Sequence, residues 1–424
     1  MAKFSTKERF IASILSSTPR IKKIIKRLYI HINALIYKKS YNFRIIDNRI
    51  TEIKHPFDAM CEESFFGYYD KDPNINNKII SHLSSYSTLK KPSPQNSIKI
   101  AIKNEMTDEI NIIGETFSYT WQQGARCQWI DDNMIMYNVF ENGKYLSKVY
   151  SLIKKKIIKT FEFPVQDSYR NSYFLSLNYQ RIMNLRPDYG YRNLPLLNEI
   201  EMKDYDNDGI WKIYFETSKA ELLFSLKDII ECDYRDIYKS CNHKVNHIMI
   251  NNDGTAFIFI HRYYLGKQRF DRLIYSDFKS LKVISNNNMV SHCCWIDDQT
   301  IFGYFRHNNK DGYYYCDINT GKISPCEKMT NLKIGDGHPS CCKNWIVFDS
   351  YPDKSRMQHL FLYNIKDDYV LPLLELYQNV NFWGECRCDL HPRFSNNGKL
   401  IFFDSVYCGR RQLCCIDVSS ITKL

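Results

Sequence analysis

One phrase recurs along this chain, and its spacing constrains the fold more than any other feature. In its fullest form it reads Cys388-Asp389-Leu390-His391-Pro392-Arg393-Phe394-Ser395-Asn396-Asn397-Gly398, followed by the apolar run Leu400 to Phe403. A polar lead, a short extended run, an Asn-Gly turn and an apolar strand are the signals of a β-hairpin in order. Val245-Asn246-His247 before Asn252-Asp253-Gly254 repeats the phrase. So do Val290-Ser291-His292 before Asp297-Asp298, and Asp336-Gly337-His338-Pro339 before Trp345 to Asp349. The histidines at 247, 292, 338 and 391 are 45, 46 and 53 residues apart, the period of a four-stranded propeller blade.

Two earlier copies lack the histidine. Arg126-Cys127-Gln128-Trp129-Ile130-Asp131-Asp132 parallels His292 to Asp298 and places Arg126 on the register; Tyr69-Asp70-Lys71-Asp72-Pro73 places Asp70 there. A weaker copy lies at Gln166 to Leu177. The reading is an all-β, seven-bladed β-propeller over residues 43–424, with an insertion near 186–243 where the interval to His247 is too long. Phe43 to Lys54 alternates apolar and polar residues and is expected to supply an outer strand that closes the ring on the last blade. One large core accounts for most of the 424 residues, and the 15% aromatic content suits strands packed face to face.

The 15 cysteines fall largely in or beside expected strands, as in Cys293-Cys294, Cys341-Cys342 and Cys414-Cys415, and read as buried thiols of a reducing, cytoplasmic compartment. A CxxC pair is absent, and Cys386-Arg387-Cys388 is a weak metal signal. The net charge of +11 comes without an RNA-binding or helix-turn-helix motif, so nucleic acid is not the expected partner. An anionic substrate or a membrane surface suits it better.

Residues 1–42 form a separate segment. Between 8 and 39, apolar residues at helical spacing alternate with Arg20, Lys22, Lys23, Lys26, Arg27, Lys38 and Lys39. The apolar runs are too short to span a bilayer. The first reading is a basic amphipathic helix lying on an anionic membrane, which would make the protein peripheral on its inner face. The alternatives are a helix packed on the propeller and an export signal.

In a propeller the first strand of each blade lines the central channel, so one repeat register becomes a ring of side chains. His247, His292, His338, His391, Arg126 and Asp70 are therefore expected to face one another at one mouth. The alternative is that this register holds polar spacers bonded to neighbouring strands. Converging imidazoles suit a divalent transition metal with an open coordination position. They equally suit a general base near its ordinary pKa, with Arg126 offsetting a substrate carboxylate.

The blades carrying His247, His292 and Asp336-Gly337-His338 resemble those of oligogalacturonate lyases, and the His391 to Phe403 stretch is similar to TolB-type propellers. In the lyases a histidine is the base, and several histidines with a glutamine hold manganese. The resemblance implies that His247 is the base and that His292 and His338 are metal ligands. His391, or Gln122 and Gln123, would complete the metal set. The likeness is strongest over residues 240–405.

Other candidates come from the residues themselves. Phe66-Gly67-Tyr68-Tyr69-Asp70-Lys71 concentrates aromatic rings and charges suited to stacking on a sugar and, through a tyrosine, to protonating a leaving oxygen. His261 and Arg262 end a strand within reach of the mouth. Arg186, with Tyr189 and Tyr191, and Arg410, with Arg411, are candidates for carboxylate or phosphate binding, as Gln123 is for the substrate.

The leading expectation is an enzyme acting on an acidic oligosaccharide by lyase-type elimination, with a divalent metal such as Mn2+ and no nucleotide cofactor. The second is a membrane-adhering glycosyltransferase or hydrolase working on a lipid-linked glycan, although Asp206-Asn207-Asp208 is an isolated match to a transferase motif. The third is a non-catalytic scaffold.

Overall fold

The computed structural model describes residues 19–424. The part of the expected N-terminal helix before residue 19 lies outside them. Seven antiparallel sheets follow one another along the chain, a seven-bladed β-propeller. The inner strands that open the blades are Glu63–Phe65, Gln128–Asp131, Asp167–Tyr169, Asn242–Ile250, Val290–Trp295, Ser340–Cys342 and Arg393–Phe394. Each blade runs outward by hairpins, and the apolar faces of successive sheets meet in clusters such as Val347, Leu362, Phe403 and Ile416. All the described cysteines are free thiols, most of them buried.

The ring closes differently from the sequence expectation. Phe43–Ile45 pairs with Tyr369–Tyr377 as a fifth strand of the sixth blade. Asp47 then turns the chain, its carboxylate accepting from the Arg49 backbone N–H (3.1 Å) and its carbonyl from Ile50 N–H (3.1 Å). The backbone of this segment pairs with the last blade at Lys54, which exchanges two 2.9 Å hydrogen bonds with Cys415. The turn at Asp47 divides what reads in sequence as one alternating strand.

The insertion also needs redrawing. Gly209–Tyr214 and Ala220–Ser225 are the outer strands of the third blade. The excess chain therefore falls into two pieces. Residues 177–208 carry the helices Tyr179–Leu185 and Glu199–Lys203, and residues 226–241 carry the helix Leu226–Glu231. Asn178 and Asn198 cap the first two helices, each side chain accepting from two backbone N–H groups of the first turn.

The helix Pro19–Ile36 lies across one mouth of the propeller. Among the described residues, no helix is long and apolar enough to cross a membrane.

Candidate functional site

The segment after the first inner strand enters the centre of the ring. Gly67 has φ +108°, and a Cβ there would lie 2.7 Å from the Gln123 backbone, so the turn requires glycine. The Asp404 carboxylate of the last blade accepts from the N–H groups of Phe66 (2.9 Å) and Gly67 (2.7 Å). Arg393, buried and 3.2 Å from Asp404, donates to the carbonyls of Gly67 (3.0 Å) and His391 (2.8 Å). The seventh blade thus fixes the turn that carries Tyr68 and Tyr69 to the axis.

The four register histidines converge on these two rings. Tyr68 stacks on His247 at 4.9 Å and 13° and meets His391 edge-on at 5.1 Å. Tyr69 lies 5.9 Å from His292 and 5.5 Å from His338. The imidazoles also follow one another, His247 to His292 at 6.1 Å, His292 to His338 at 4.0 Å and His338 to His391 at 4.3 Å. Local backbone irregularity aims two of them: strand pairing skips between Asn246 and Met249 and between Val290 and Cys293, bulges containing His247 and His292. His247, His391 and Arg126 adopt positive φ of 57°, 45° and 53°, a conformation that costs non-glycine residues about 1–3 kcal/mol.

A cavity of about 440 Å³ opens at the mouth formed by the N-terminal ends of the inner strands. His292 and Asp389 line it, and His247, His338 and His391 are packed behind them, each nearly inaccessible to solvent. Its walls carry Lys26, Arg186, Arg262, Arg269, Lys354, Arg356 and Arg387 against Asp336, Asp353 and Asp389, with Tyr29, Tyr189, Tyr351 and Trp383 among the aromatic surfaces. Several cations are held by carboxylates: Arg262 by Asp271 at 2.9 Å, Arg186 by Asp188 at 3.5 Å, and Arg387 by Asp188 and by Asp389 at 2.7 Å. The lining stays predominantly positive.

Burial sets the protonation of the ring. It holds His247, His292 and His391 well below the ordinary imidazole value, and neighbouring Arg262 adds to this at His247. Burial acts the same way on His338, but the Asp349 carboxylate outweighs it and raises the pKa. Asp349 lies 2.9 Å from His338 Nδ1 and also accepts from the backbone N–H groups of His338 (2.7 Å) and His391 (3.3 Å).

That arrangement leaves His338 Nε2 facing inward without a hydrogen-bond partner among the described residues, as are His391 Nε2 and Asp389 Oδ1. Ligand atoms of His338, Asp389 and His391 lie within 4.8 Å of one another. Two imidazoles and a carboxylate, one imidazole oriented by a second carboxylate, form a donor set that fits a divalent cation with open positions. His292 lies against His338, the rings tilted by 36°, but is not part of this compact set.

The other expected residues divide. Tyr68, Arg186, Arg262 and Tyr189 are at or beside the cavity. Tyr69 supports the ring from below, donating to the Cys293 carbonyl at 2.9 Å. Arg126 and Asp70, expected to face substrate, are spent on each other through bonds of 3.0 and 2.6 Å, both buried; Asp70 borders a second cavity at the opposite ends of the inner strands. Their adjacent registers bring opposite charges together, and pairing satisfies both. His261 lies in a separate buried chain, accepting from Arg272 Nε at 3.0 Å and bonded to His243 at 3.0 Å. Arg410 pairs with Asp58 at 2.6 Å on the surface. Gln123 is buried outside the cavity, while Gln122 bonds to the Arg387 carbonyl at 2.8 Å, so neither joins the donor set.

Asp389, Arg387, Asp349, Arg269 and Gln378 are the functional-site residues that sequence reasoning missed. Asp389 had a signal. It stands two residues before His391 in an extended segment, the spacing that returns side chains to one face.

Fold and site together define a seven-bladed propeller with a histidine-ringed, cation-lined mouth. No family model and no curated protein matches this chain. Among solved structures, an oligogalacturonate lyase in complex with manganese is similar at 13% identity and TM-score 0.59, over 88% of this chain and 96% of its own. The oligogalacturonate lyase of Vibrio parahaemolyticus is similar at 14% identity and TM-score 0.58, over 90% and 97%. TolB from Acinetobacter baumannii aligns at 14% identity and TM-score 0.39, over 72% and 64%. At these identities the likeness is one of fold.

Proposed function

We propose that this protein is a carbohydrate-active lyase that cleaves an acidic glycan by β-elimination at the cavity mouth. The observation that carries the reading is the meeting of four distant imidazoles at the base of a predominantly cationic cavity. Elimination next to a carboxylate needs a neutral base and positive charge to offset the developing enolate. His247 is the base of this reading. Its Nε2 lies 3.3 Å from the Tyr68 hydroxyl and its Nδ1 has no partner among the described residues. With Nε2–H donating to Tyr68, Nδ1 keeps the lone pair that takes the proton from the carbon beside the carboxylate once bound substrate displaces the side chains that cover His247. Arg262 and Arg186 on the wall offset the charge of that carboxylate, and the bond to oxygen on the adjacent carbon breaks to leave an unsaturated sugar, the leaving oxygen taking a proton from solvent water to depart as an alcohol. His338, His391 and Asp389 are the residues that would hold a divalent cation, manganese on the likeness to the manganese-bound oligogalacturonate lyase, which would supply further positive charge.

Purified protein incubated with acidic oligosaccharides is expected to release unsaturated ends that absorb in the near ultraviolet. His247→Ala lowers this by about 10²- to 10⁴-fold. Because burial holds His247 below the ordinary value of 6.5, the acidic limb of kcat/KM lies below pH 6.5. Saturated reducing ends from the same substrates would contradict elimination and indicate a hydrolase.

A second reading keeps the site and changes the reaction to hydrolysis or glycosyl transfer on a lipid-linked glycan. It is favoured by the helix Pro19–Ile36 beside the cavity, and sugar-nucleotide turnover with a lipid-linked acceptor decides for the transferase.

A further inference from the structure

The helix Pro19–Ile36 has two faces with different surroundings. Lys26, Ile30 and Asn33 line the cavity, and the Arg27 guanidinium lies 5.1 Å from the Trp383 ring centre, so this side is seated on the propeller. Ile21, Ile24, Leu28, Ile32 and Leu35 lie on the other side and are 51, 60, 57, 54 and 77% exposed. At 100° per residue they fall within one narrow stripe, opposite Ile30. A continuous apolar stripe left in water is costly and marks a contact surface.

Charge selects among its occupants. The helix sequence contains no acidic residue; besides Lys26 and Arg27, which face the propeller, it contains Arg20, Lys22 and Lys23, and Lys38 and Lys39 follow it, both exposed. Apolar side chains flanked by cations match a bilayer with anionic headgroups, where the apolar stripe enters the acyl boundary and the cations meet the lipid phosphates. We propose that this helix docks the mouth of the propeller on an anionic membrane surface, so that the cavity works on glycans carried at that surface. The substrate clause rests on the lyase reading; the docking clause does not.

The test uses the full chain and two vesicle preparations, phosphatidylcholine alone and phosphatidylcholine with phosphatidylglycerol. Flotation is expected to show binding to the anionic vesicles, weakened by salt and much weaker on phosphatidylcholine. Leu28→Glu with Ile32→Glu changes two exposed residues outside the cavity, so the melting temperature stays near wild type while anionic-vesicle binding falls by ~10-fold or more. The same variant keeps wild-type turnover of free oligosaccharide and loses turnover of a vesicle-borne acidic glycan. Absence of wild-type binding to anionic vesicles overturns the proposal, as does unchanged binding by the variant. Light scattering that shows a wild-type dimer and a monomeric variant, without vesicle binding, assigns the stripe to a second copy and overturns it too. Vesicle binding with no elimination on any substrate would sink the lyase reading alone.

Discussion

At the scale of single residues, burial decides which groups are neutral. His82, in the first blade, uses both ring nitrogens: Nε2 accepts from the Ala125 N–H at 3.0 Å, and Nδ1–H donates to the Phe65 carbonyl at 3.2 Å. Burial pushes its pKa down to about 4. A depressed imidazole stabilises the fold above its unfolded value of 6.5, and this contribution is lost as pH falls from 6.5 towards about 4. The stability difference between wild type and His82→Asn is therefore largest above pH 6.5 and shrinks on acidification, as thermal melts at stepped pH would show. A difference that grows with acid would contradict a neutral His82. The register histidines were legible because a repeat copies position. Asp349 was not, since its role depends on the pairing of Ser340–Cys342 with Trp345–Asp349, which brings the end of one strand back beside the approach to the other.

At the scale of elements, the turn Phe66 to Tyr69 is the part on which the site depends most. It is held by groups from the far end of the chain, Asp404 and Arg393, whose approach no local pattern announces. Gly67→Ala places a Cβ 2.7 Å from the Gln123 backbone at a φ of +108°. A cost of about 1–3 kcal/mol in denaturant unfolding is expected, together with a displaced Tyr68 and reduced activity. Unchanged stability and activity would show that the turn has room to spare. The same scale explains the two sequence expectations that failed. The outer strands Gly209–Tyr214 and Ala220–Ser225 lie in what reads as an insertion because helices separate them from the start of their blade. The closing segment divides at Asp47 because its side chain bonds its own backbone two residues on, as sequence reasoning with an alternating pattern overlooks.

At the scale of the whole molecule, the closed ring turns sequence intervals of 45, 46 and 53 residues into adjacent side chains. Period and blade count were readable because each blade is one repeat of a four-stranded unit. Of the cavity walls only Arg186, Tyr189 and Arg262 were readable, because much of the rest comes from the long connections at residues 351–356 and 378–389, which share no repeat pattern. The same connections distinguish one propeller function from another, since the ring itself is architectural.

The most direct test of the account is titration of the purified protein with Mn2+ near neutral pH, followed by calorimetry and by electron paramagnetic resonance of the free ion. A single site per chain is expected, weakened about 10- to 100-fold by Asp349→Asn and abolished by His338→Ala with His391→Ala while the fold is retained. Wild-type affinity in the double variant, or no saturable binding by the wild type, would contradict the claim that these distant residues form one site.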